Sequence, residues 1–141
     1  MTYLQRIFTV ATYRKFSPSQ SKDFSKLSVS VCQQLGIRGR AFSNDTEAMF
    51  ITEGPEELIK KYYDAVAKDP HTDFAVIYSD AKIEVCEFKD YSVWLSSYDP
   101  RRFDYGPSVH LLTTETIETA IPSNLSTKLK IRIKVLLPFI D

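Results

Sequence analysis

A chain of 141 residues, 43% of them hydrophobic, is the size of one domain and can bury about two-thirds of the surface its unfolded form exposes. Its 18 lysines and arginines balance 18 aspartates and glutamates, so no overall field draws it onto nucleic acid or an anionic membrane, and any charged recognition has to be local. Two histidines, His71 and His110, and two isolated cysteines, Cys32 and Cys86, are too few for a structural zinc site; the thiols read as buried or idle in a reducing compartment and the histidines as structural or solvated.

No apolar run approaches the roughly 18 to 20 residues that cross a bilayer, and the N-terminus lacks the apolar core and cleavage site of a secretory signal. The expected location is cytoplasmic, with no membrane partner. Arg6, Arg14 and Lys15 with no acidic residue before position 16 allow a weak mitochondrial presequence as the lesser reading, because the same stretch makes a good first strand.

That strand runs from Tyr3 to Tyr13, where Leu4, Ile7, Phe8, Val10 and Tyr13 are apolar on both sides, as in a central strand. Ser17 and Pro18 supply an N-cap and a first-turn proline for a helix expected to bury Phe24, Leu27, Val31 and Leu35 until Gly36 stops it. Ile37 to Ser43 and Glu47 to Thr52 read as strands joined at Asn44-Asp45. Glu53-Gly54-Pro55-Glu56-Glu57 then opens a second helix, supported by the pairs Glu56/Lys60 and Glu57/Lys61, with Leu58, Ile59, Tyr62 and Val66 as its buried stripe and Asp69-Pro70 as its end. Phe74 to Tyr78 and Ile83 to Phe88 are expected as strands four and five.

The order β-α-β-β-α-β-β predicts an α+β, ferredoxin-like domain over residues 1–96, two helices lying on one face of a mostly antiparallel sheet. From Ser97 to Pro107 the punctuation of Asp99-Pro100-Arg101-Arg102 and Gly106-Pro107 marks a connection into a C-terminal extension, residues 97–141, packed on the domain or on a partner. Thr114 to Ile121 suggests a short helix ended by Pro122. In Lys128 to Val135, the cations Lys128, Lys130, Arg132 and Lys134 alternate with Leu129, Ile131, Ile133 and Val135, which favours a strand. Helix stays open there, since Leu125, Leu129, Ile133 and Leu136 sit at helical spacing behind Ser123 as a cap.

Three blocks carry a family resemblance: Leu4-Gln5-Arg6-Ile7-Phe8, Gly36-Ile37-Arg38-Gly39 and Glu53-Gly54-Pro55-Glu56-Glu57. Asp69-Pro70-His71 before a strand, and Phe88 with Tyr91 three residues on, add to it. The pattern resembles the BLUF domain, a flavin photoreceptor module that senses blue light through FAD, over about residues 3 to 96. The resemblance implies that a strand-one tyrosine, a helix-one asparagine and a strand-three glutamine surround the isoalloxazine ring. Here those positions fall on Thr9, Cys32 and Phe50, and the family's tryptophan and methionine near strand five fall on Tyr91 and Val93. A switching glutamine must donate and accept hydrogen bonds, which Phe50 cannot do at all and Cys32 does weakly.

No triad, metal set or phosphate cradle appears: Glu56 and Glu57 are explained by the helix dipole, and Gly36-x-x-Gly39 lacks the lysine of a phosphate loop. The expected function is therefore a non-photoactive, non-enzymatic BLUF-like module with no cofactor, serving as an interaction or scaffold subunit. The alternative is a blue-light receptor holding FAD in an altered site. The basic stripe Lys128, Lys130, Arg132 and Lys134 is the candidate surface for a protein partner; with no aromatic platform interleaved, nucleic acid is disfavoured. The resemblance also allows a homodimer, and a ciliary or axonemal setting within the cytoplasm.

Overall fold

The computed structural model describes residues 4–13, 17–44, 47–68 and 72–136. Six strands, β1 (Leu4–Tyr13), β2 (Arg38–Ser43), β3 (Glu47–Pro55), β4 (Thr72–Ile83), β5 (Tyr91–Leu95) and β6 (Val109–Leu111), form one mixed sheet in the order β4-β1-β3-β2-β5-β6. β1 lies between β4 and β3, antiparallel to both, so the apolar first strand is central as its composition requires. β5 joins β2 in parallel and β6 joins β5 in parallel. The fold is α+β with a ferredoxin-like framework, as expected from the sequence.

Helices α1 (Pro18–Leu35) and α2 (Glu56–Lys68) cover one face of this sheet. α1 begins with a capping box: Ser17 Oγ accepts from the Gln20 amide and Gln20 Oε1 accepts from the Ser17 amide. Gly36, at φ 72°, ends it in the left-handed conformation. The opposite face is covered by the C-terminal segment, with α3 (Ile117–Ala120) and α4 (Thr127–Leu136). Strand alternation divides the two cores: Ala41, Ala48, Phe50, Tyr91, Val93 and Leu95 turn toward α1 and α2, while Phe42, Met49, Ile51 and Trp94 turn toward Leu125, Leu129 and Ile133.

The edge at β6 is closed off by its own chain. The strand is three residues long, and the Leu111 carbonyl accepts a hydrogen bond from Thr116 Oγ1 at 2.7 Å.

Several local expectations are corrected. Ile83 to Phe88 is not the fifth strand: β4 continues to Ile83, residues 84–90 form a loop, and β5 is the wholly buried Tyr91–Leu95. The loop forms because Phe88 drops into the lower core while its amide donates to the buried carboxylate of Glu53, geometry that no ladder would allow. Glu53, Gly54 and Pro55 belong to β3, so α2 starts at Glu56, where the Glu56–Lys60 pair does form at 3.1 Å.

The segment Lys128 to Val135 is helix, not strand, because burying Leu125, Leu129 and Ile133 together on the sheet requires a four-residue repeat. Its cap is Ser126, whose Oγ accepts from the Leu129 amide at 3.3 Å, rather than Ser123. As a helix it does not line up all four cations: by position Lys128 and Arg132 fall on one side of the buried stripe and Lys130 and Lys134 on the other, with Lys128 and Lys134 bordering the outward arc. The turn at Asp69-Pro70-His71 lies outside the described residues.

Candidate functional site

The space between α1, α2 and the sheet is where the sequence resemblance would put a flavin ring, and it is built from unexpected residues. α1 turns Ser25, Ser28 and Cys32 fully inward, whereas Leu27, expected in the core, is 60% exposed. Phe24, Val31 and Leu35 are only partly buried at the core's margin. Ser25, Ser28 and Cys32 are spaced i, i+3, i+7, so this polar stripe was readable as one helical face. The apolar residues Phe24, Leu27, Val31 and Leu35 form a second stripe beside it.

Small polar side chains face the sheet because phenols fill the space above it. Ser28 Oγ lies 3.2 Å from the Tyr62 hydroxyl, which α2 supplies, and 3.1 Å from the Tyr91 hydroxyl at the start of β5. One serine thus joins both helices to the sheet at a point closed to water. Beside it, Tyr63 packs edge-on against Tyr62 at 5.4 Å and bonds through its hydroxyl to Thr52 Oγ1 at 3.0 Å.

Burial dominates the chemistry of these groups. It pushes the Cys32 thiol up to about 12, against weaker opposing hydrogen bonds from Tyr91 and Tyr62. It pushes Tyr63 up to about 12, opposed chiefly by the Thr52 hydroxyl, and raises Tyr62 and Tyr91 far above the usual phenol range. All four are neutral at physiological pH. Groups held this firmly in their protonated forms are suited to packing and not to nucleophilic or proton-transfer work.

Thr9 and Phe50, to which the sequence resemblance assigns the family's tyrosine and glutamine positions, are both buried and stand opposite each other in the β1–β3 ladder. Thr9 Oγ1 has no partner within full hydrogen-bond geometry, although it lies close enough to the Tyr63 hydroxyl to act weakly on it. Cys32, which the resemblance matches to the asparagine, lies at the edge of the tyrosine cluster, and Tyr91 and Val93 line the same core. The residual cavity, lined by Ser25, Ser28, Phe50 and Val93 among others, measures about 20 Å³. That holds about one water molecule, where ligand pockets run to some 300 Å³ or more. As packed, these residues do not fit an isoalloxazine ring: Tyr62 and Tyr91 occupy the space between the helices, and Phe50 offers its edges neither donor nor acceptor.

Polar groups on the opposite face serve as clamps. The Arg6 guanidinium donates to the wholly buried Glu53 carboxylate, Nη2 lying 2.7 Å from Oε2, and reaches Glu87 at 2.5 Å. Glu87 Oε1 in turn accepts from the Ser126 amide at 2.6 Å, tying the start of α4 to the first strand. Arg40, also buried, donates to the Ala120 carbonyl at 3.1 Å and to Asp90 Oδ1 at 2.8 Å, and lies 5.2 Å from the centre of the Phe88 ring.

His110 sits on β6 with its ring 4.5 Å from that of Trp94, a structural position consistent with its reading from sequence. Cys86 is a half-buried free thiol. Among the described residues no set of three His, Cys, Asp or Glu side chains gathers to hold a metal, and no helix is long and apolar enough to cross a membrane.

The fold is that of BLUF domains. BlrB in its dark state matches with a TM-score of 0.60 at 20% identity, over 67% of this chain and 73% of that one. The photo-activated state of BlsA matches at 0.63 and 15% identity, over 95% and 94%. Klebsiella pneumoniae BlrP1, solved with FMN and cyclic diGMP, matches at 0.69 and 17% identity, over 96% of this chain and 34% of its own. This chain therefore corresponds to about a third of BlrP1. No protein-family model matches the sequence, and no curated protein does.

Proposed function

We propose that this chain is a BLUF-fold module without a flavin, working as a protein-interaction or scaffold subunit of a larger assembly and not as a photoreceptor or an enzyme. The observation that carries this reading is the Ser28 bridge between Tyr62 and Tyr91, which fills the space between the helices and satisfies its own polar atoms there. Inserting a flavin would break that network and bury ring nitrogens and oxygens against Phe50 and Thr9, each unsatisfied group costing about 1 to 3 kcal/mol. With the pocket given over to side chains, the rigid framework and its outer surfaces remain for recognition. A cytoplasmic assembly, with an axonemal one as the narrower version, is the setting in which such a subunit would work.

The test is a near-ultraviolet and visible spectrum of the protein purified with FAD supplied, before and after blue illumination. A protein with no flavin band is the expected result. A bound flavin whose band moves to the red in light would overturn the reading.

A further inference from the structure

We infer that the outward face of α4 is a docking surface for an acidic, amphipathic segment of another protein. The inference deepens the scaffold reading and rests on it.

α4 uses Leu129 and Ile133, with Leu125 just before it, to bind the sheet. The arc opposite that stripe carries Lys128, Ile131 and Lys134, at three-residue steps that climb about 9 Å along the axis. Lys128 is exposed and has no ion pair among the described residues. Lys130 gives its ammonium to the Ser123 carbonyl at 2.8 Å, which satisfies a donor but leaves the charge uncancelled. Among the described residues Lys134 pairs with Glu118 alone, at 3.6 Å with both groups well exposed, a pairing worth little in water. No acidic residue occurs in the ten residues of α4, so the helix is positive throughout.

Ile131, 58% exposed, lies at the middle of this arc. A lone exposed isoleucine is ordinary, but here cations stand before and after it along the helix. The complement is a helix or turn with an apolar residue at its centre and carboxylates about one turn to either side. A bilayer is a poor fit, because interfacial binding scales with buried apolar area and the arc offers a single apolar side chain. Nucleic acid is a poor fit too, since no aromatic side chain on the arc offers a base a stacking platform.

The test uses the full chain and a labelled helical peptide with a central leucine flanked by glutamates at three-residue spacing, followed by fluorescence anisotropy. A twin peptide with glutamine for every glutamate serves as control. The glutamate peptide is expected to bind about tenfold more tightly than its twin, and K128E/K134E to remove about tenfold of that affinity with an unchanged urea midpoint. Equal binding of the two peptides, or affinity unaffected by K128E/K134E, would overturn the inference. So would binding confined to phosphatidylserine-containing vesicles or to a single-stranded RNA oligonucleotide. A colourless protein that ignores the glutamate peptide sinks the docking surface alone, whereas a yellow protein sinks the flavin-free reading.

Discussion

Thr9 and Phe50 are Cα partners in the β1–β3 ladder, a buried hydroxyl set beside a buried ring at the two positions to which the sequence resemblance assigns polar flavin contacts. Cross-strand partners share a face, so the two substitutions act on one spot. Introducing an amide with Phe50→Gln buries a donor and an acceptor for which the Thr9 hydroxyl is at most one partner. The expected result is a loss of about 2 to 4 kcal/mol in urea unfolding and no gain of flavin colour. Recovery of a flavin band by this single change would show that the pocket reopens easily.

Ser28 bonds to both Tyr62 and Tyr91, so Ser28→Ala leaves two phenols in the core short of a partner. A loss of about 1 to 3 kcal/mol is expected, far more than serine to alanine produces on an exposed helix. The same network gives a sign to alkaline stability. Tyr63 and Cys32 are raised in the fold to about 12, so the folded state holds their protons more tightly than the unfolded state. Their contribution is complete below the unfolded values, near 9 for the thiol and 10 for the phenol, and is lost as pH rises from there to about 12. Phenolate absorbance should therefore appear in two stages, exposed tyrosines first and the buried cluster only with unfolding.

The two thiols should separate cleanly. Cys86 is half-buried and Cys32 is closed off between α1 and the tyrosines. A colorimetric thiol reagent is expected to modify one cysteine in the native protein and the second only in denaturant. Fast labelling of both would mean that the helix pair opens.

Arg6 is the partner of a carboxylate with no access to water. Arg6→Met removes the cation and leaves Glu53 charged in the lower core, with an expected loss of about 3 to 5 kcal/mol. Adding Glu53→Gln should return part of it, which a double-mutant cycle in urea would measure. Strict additivity would show that the pair is not coupled.

Burial, with Arg40 nearby, lowers the pKa of His110 below its ordinary value, Asp90 opposing. The unfolded chain then takes the proton more readily, so stability is intact above about 6.5 and declines as pH falls below it. Because the imidazole lies against Trp94, the tryptophan fluorescence should quench over the same fall, and His110→Phe should abolish the step.

Much of this fold was written in local signals. Ser17-Pro18 and Gly36 bounded α1 because caps act within a turn, and the apolar first strand proved central because only a central strand is buried on both faces. What escaped the sequence depended on contacts between distant segments. Phe88 left the strand pattern to meet Arg40 and Glu53. The alternation of residues 128–135 yielded to the sheet's demand for Leu129 and Ile133 on one side. The candidate site was half legible: Thr9, Cys32 and Phe50, singled out by position, are all buried in the core, but the use of Ser28 depended on Tyr62 and Tyr91 arriving from far along the chain.

Thr116 takes the Leu111 carbonyl on the outer side of β6, so a strand adding at that short edge would first have to displace it. An edge blunted by its own chain in this way resists the strand-by-strand addition through which sheets run on into fibres.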